Sequence, residues 1–175
     1  MDNLKYYNAT TVKLLLDTAK SEYNNEHNRT TVIDSKTSIA LPIVSAYFLA
    51  LAQMNDYKTI FTFQVSSFKD SIIPTIMLIT YTCSLISALV AVTMFANVIA
   101  MKDYNVIKVE DLYDDDYLVE EPIYITIKLT KLYIDATSFN KRSNNLRIPI
   151  FKKGWQLTVI SVALFVIYII IKNII

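Results

Sequence analysis

A single glycine in 175 residues leaves no material for the glycine-rich loops that cradle phosphates, and no such motif occurs. A single cysteine, Cys83, cannot form an internal disulfide. That excludes a disulfide-stapled secreted domain and fits a reducing compartment or a lipid-buried site. The one histidine, His27, stands in a polar stretch, EYNNEHNR, with no second histidine to join it as a metal ligand. GxSxG, HExxH and CxxC patterns are all missing. No catalytic, cofactor-binding or metal residue is therefore expected, and the chain reads as non-enzymatic. Charge of one sign is lacking too: 17 basic against 16 acidic residues leave a net +1, which marks no nucleic-acid binder. The start, Met1-Asp2-Asn3-Leu4-Lys5, lacks the basic and apolar run of a signal peptide.

Apolar residues are in excess. They make up 53% of the chain and charged residues only 19%, against about 45–50% and roughly 25% in soluble domains. Mean hydropathy is +0.34. The excess is blocked: no Lys, Arg, Asp or Glu falls between Lys36 and Asp56, between Asp70 and Lys102, or between Lys153 and Lys172. A bilayer core of about 30 Å needs about 20 helical residues. The gaps predict spans over 37–55, 71–101 and 155–171. Pro42, Ser45 and Gln53 dilute the first, for which a buried core helix is the competing reading. Pro74 suits the first turn of the second, and Trp155 sits where an interfacial aromatic belongs in the third.

Basic residues near the span ends set the orientation. Arg29, Lys36, Lys102, Lys108, Lys141, Arg142, Arg147, Lys152 and Lys153 fall on one side, against Lys58, Lys69 and Lys172 on the other. Residues 1–36 and 102–154 are thus expected in the cytoplasm, with the 56–70 loop and the 172–175 tail outside.

In the first cytoplasmic part, Val12, Leu15, Leu16, Ala19 and Tyr23 fall at helical spacing and predict an amphipathic helix. No Gly or Pro separates it from span one. Residues 103–121 read as an acidic loop. Its Asp114-Asp115-Asp116 run lacks the alternating geometry of a calcium loop and reads as a solvated connector. From Pro122 two periods compete. Ile123, Ile125, Ile127 and Leu129 alternate as in a strand, while Ile125, Leu129, Leu132, Tyr133 and Phe139 fit a helical stripe. A lone strand would leave its edges unpaired, so a helix over roughly 121–145 is expected. The fold class is an all-α integral membrane protein: three transmembrane helices, an N-terminal amphipathic helix and a cytoplasmic helix.

In span two, Thr80, Ser84 and Ala88 recur every fourth residue, Ala96 and Ala100 continue the row, and Ala91 lies beside it. Small residues let backbones approach closely in lipid, either within the chain or between copies. Asn97 on the same helix would be costly in hydrocarbon unless paired or interfacial.

The entry to span one reads Arg29-Thr30-Thr31-Val32-Ile33-Asp34-Ser35-Lys36-Thr37-Ser38-Ile39-Ala40-Leu41. This is similar to the Asp-x-Lys-Ala-Ser stretch that opens the first membrane helix of small bacterial Pycsar-type membrane effectors. Asp34, Lys36 and Ser38 match, and Thr37 replaces the alanine. The broader plan over residues 10–101 also resembles SLATT proteins. Two features depart from the pattern: Ala100-Met101-Lys102-Asp103 stands where a Pro-Arg pair follows the second span, and a third span is present. The resemblance implies an antiphage effector in the inner membrane, homo-oligomeric, triggered by a nucleotide signal or partner protein and acting on the lipid bilayer. The alternative is an accessory subunit that anchors a partner through its cytoplasmic segment. As a plain physical role, Asp34 and Lys36 suit an interfacial anchor.

Overall fold

A computed structural model of the chain describes residues 8–54, 57, 60, 68–108 and 122–174, with side chains omitted at 68–70 and 174. The described regular elements are all helical: α1 (Ala9–Gln53), α2 (Phe68–Ala100) and α3 (Pro122–Ile174). Each is long and apolar enough to cross a membrane. The strand pattern at 123–129 gives way to helix, because a lone strand finds no ladder partner whereas a helix satisfies its own backbone. The 56–70 loop and the 103–121 connector fall largely outside the described residues, as does Ile175.

No break separates the N-terminal helix from span one, or the helix after Pro122 from span three. Asn8 caps α1, its Oδ1 accepting the Thr10 N–H at 2.9 Å. Pro42 and Pro149 lie inside α1 and α3 on exposed positions, where each removes one backbone hydrogen bond without a ring clash against a neighbouring helix. α2 begins ahead of Pro74 rather than at it. Threonine, an indifferent helix former, turns its hydroxyl back onto the carbonyl four residues earlier: Thr75 to Ser71, Thr93 to Leu89, Thr158 to Gly154.

The inward faces follow one rule. Along α2 the buried positions are Pro74, Met77, Tyr81, Ser84, Ala88, Ala91, Phe95 and Val98, spaced alternately by three and four. Val12, Leu16, Ala19, Tyr23, Glu26, Thr30 and Ile33 continue the same alternation on α1, each buried or half-buried. On α3 Ala136, Asn140 and Asn144 are buried at steps of four, after which Arg147, Gly154, Ser161 and Tyr168 follow at three and then at sevens, twice 3.5. This 3.5-residue period is that of knobs-into-holes packing.

The chain divides into two compact units. Unit 1 comprises Met1–Asp34 and Met101–Arg147; unit 2 comprises Ser35–Ala100 and Ile148–Ile175. Unit 2 holds the three apolar stretches. One cluster packs Ala40, Val44, Ala91 and Phe95, another Ile60, Met77, Tyr81 and Tyr168. Small residues let the helices close: a Cβ on Gly154 would meet the Phe95 ring at 3.1 Å. Outward, unit 2 shows Ile39, Ile43, Ile79, Ile86, Val159 and Ile170, all exposed. A soluble domain rarely shows so much contiguous apolar surface, and lipid is the solvent it suits.

Candidate functional site

In unit 1 the seam turns polar. Tyr23, Glu26 and Thr30 of α1 face Asn140, Asn144 and Arg147 of α3, and burial is tolerated because the groups satisfy one another. Asn144 sits at the middle of this layer. Its amide nitrogen donates to Glu26 Oε2 at 2.9 Å and to the Glu26 carbonyl at 3.2 Å, and its Oδ1 lies 3.1 Å from the Thr30 hydroxyl. Arg29 donates to Glu26 at 3.2 Å and to Asn145 Oδ1 at 3.0 Å. One turn earlier on α3, Asn140 pairs with the backbone of Asn105 in both directions, accepting its N–H at 2.8 Å and donating to its carbonyl at 3.1 Å. That pair fastens the segment leaving α2 onto α3.

Asp34 is the ionic centre of the unit. Lys102 Nζ lies 2.9 Å from its Oδ2, and Arg147 donates to its Oδ1. The Arg147 side chain is 1% exposed and that of Asp34 24%, so the pair is well withdrawn from water. Burial by itself pushes the Asp34 carboxyl up; the hydrogen bonds and charges of Lys102 and Arg147 outweigh it and hold the group below the ordinary carboxylate range. Three chain segments thus meet at one carboxylate: α1, the stretch following α2, and α3.

A ring cluster completes the unit. Tyr23 packs edge-on against Tyr133 at 5.5 Å and lies 6.4 Å from Tyr104. Tyr104 shares a 2.8 Å hydrogen bond with His27 Nδ1. Burial first, then the hydrogen bond and charge of Tyr23, push the Tyr104 hydroxyl up, so it stays protonated and serves as a neutral hydrogen-bonding group. An open groove of about 300 Å³ is lined by Leu15, Ala19 and Ile134 together with Thr18, Glu22 and Ser138, and the surface it exposes is almost wholly apolar. No metal-holding group of His, Cys, Asp and Glu occurs among the described residues.

Of the three matching residues Asp34, Lys36 and Ser38, Asp34 enters this network, while Lys36 and Ser38 are exposed. On α2, Ser84, Ala88 and Ala91 are wholly buried. Thr80 is half-buried and bonds to the Ile76 carbonyl of its own helix. Ala96, Asn97 and Ala100 are exposed. Ser84 and Ser161 exchange hydroxyl–carbonyl bonds at 2.9 and 2.7 Å, and Ser161 also reaches the Tyr47 hydroxyl at 3.2 Å. Side chains from all three helices therefore meet there. Sequence reasoning used Arg147 and Lys102 only as topological charges and passed over Asn140 and Asn144. The available signal was the 140–144–147 spacing, which puts three polar groups on one helix face. No family model, curated protein or solved structure matches the chain.

Proposed function

We infer that the chain is a non-enzymatic membrane effector of bacterial antiphage defence. In this reading residues 1–36 and 102–154 are cytoplasmic, and the spans sit in the inner membrane. A nucleotide signal or a partner protein acts on unit 1; the chain then oligomerises and breaches the bilayer. One observation carries the reading: Asp34, the acidic residue of the stretch resembling Pycsar-type effectors, is engaged by both Lys102 and Arg147. Losing the carboxylate releases both cations at once, and with them the hold of α1 on the two other segments.

Dye uptake on induced bacterial expression tests this. Asp34→Ala should admit a membrane-impermeant dye at expression levels where the wild type excludes it. Equal exclusion by Asp34→Ala and the wild type, both reaching the membrane, contradicts the reading. The accessory-anchor reading is favoured by a different observation. The small face of α2 at Ser84, Ala88 and Ala91 is 0% exposed, already occupied within the chain and closed to a second copy. On that reading, cross-linking in membranes yields monomer alone.

A further inference from the structure

We propose that one stripe of α3 binds an anionic phospholipid, its headgroup on Lys152 and Lys153 and an acyl chain along Trp155, Val159 and Ile160. The proposal rests on the bilayer reading of unit 2 and not on the effector reading. Positions 152, 155, 156, 159 and 160 follow the i, i+3, i+4, i+7, i+8 pattern of a single helix face. Lys153 borders that face, sharing it with Gln156 and Ile160. The gradient along the stripe matches a lipid leaflet. Two exposed ammonium groups come first, then an indole and an amide, then two apolar side chains 65% and 48% exposed. From Lys152 to Ile160 the helix rises about 12 Å.

Trp155, Gln156, Val159 and Ile160 line one shallow open depression. Trp155 is fixed in it, edge-on to Phe95 at 5.8 Å and to Phe151 at 6.5 Å, yet 41% exposed. Among the described residues, neither lysine lies within ion-pair distance of a carboxylate. These are also the last charges on α3 before Lys172. Lysine stems lie along apolar surface while their ammonium groups seek phosphate, and each is worth about a further fivefold in affinity for an anionic surface.

Trp155 is the only tryptophan, so its fluorescence reports the site without labelling. The full chain is reconstituted in vesicles of phosphatidylcholine and phosphatidylglycerol, with brominated acyl chains on one lipid at a time. Brominated phosphatidylglycerol should quench Trp155 as though enriched on the order of tenfold at the site. Lys152→Gln with Lys153→Gln should erase the enrichment while quenching by phosphatidylcholine persists. Lys36→Gln, an exposed cation at the entry of span one, should leave it intact. Equal quenching by the two lipids in the wild type overturns the proposal. So does a loss of enrichment in Lys36→Gln as large as in the double variant, because general surface potential would then account for it. Absence of quenching by either lipid overturns the bilayer reading of α3 as well.

Discussion

Asp34 and Arg147 lie 113 positions apart, and their pairing sets the energetics of unit 1. Removing one partner of a buried ion pair strands the other charge, at about 3–5 kcal/mol. Asp34 keeps a quarter of its side chain in solvent, so Asp34→Ala should cost about 3 kcal/mol, read as a lower midpoint in thermal unfolding of the purified protein. The pH dependence has a definite sign. The folded carboxyl is held below its unfolded value of about 3.9, so the stabilisation is complete above that value. It is lost as pH falls through the lower folded pKa. Wild-type midpoints measured from pH 6 down to 3 should drop at the acid end, and Asp34→Asn should flatten the drop. Gly154 sets a second residue-level test. A methyl there gains about 1 kcal/mol of helix propensity but presses on Phe95, which is fully buried. The two effects oppose, so Gly154→Ala should change the midpoint little. Gly154→Leu gains a similar propensity but drives a far larger side chain into Phe95, and should lower stability by about 1–3 kcal/mol.

For the helices, the charge-free gaps fall on the three that are long and apolar enough to cross a membrane, because transfer of a charge into hydrocarbon is costly enough to write itself into sequence. The continuity of α1 was also legible, since nothing between residues 10 and 36 breaks a helix. The inward face of α2 was not. Following every fourth residue leads from Ser84 and Ala88 to Ala96 and Ala100, whereas the buried line steps from Ala88 to Ala91 and Phe95. A row at four-residue spacing drifts around the helix, and only the alternation of three and four stays against a partner. Nor could the sequence say which two of nine basic residues meet Asp34, because Arg147 is brought there by the register of α1 against α3. Asn144 and Thr30 set that register, as polar seam positions do in coiled coils. Bulky groups on the true face should therefore act within the chain. Ser84→Leu with Ala88→Leu should lower the thermal stability of the monomer or bring about its degradation in membranes. Ala96→Leu with Ala100→Leu, on exposed positions, should leave expression and stability unchanged.

At the scale of the molecule, two chemistries share one chain. Unit 1 is held by a satisfied polar layer and an ion pair, which suits an aqueous surrounding. Unit 2 turns apolar side chains outward and keeps small and hydroxyl residues inside, which suits lipid. Helices of 45 and 53 residues exceed the roughly 20 that a bilayer core needs, so each must carry turns beyond the hydrocarbon. In the proposed topology the crossing of α3 alone separates Asn145 from the C-terminus. The most direct measurement is a paired topology reporter, fused after Asn145 in one protein and after Ile175 in another. The account predicts a cytoplasmic signal from the first and a periplasmic signal from the second; the same compartment from both would contradict it.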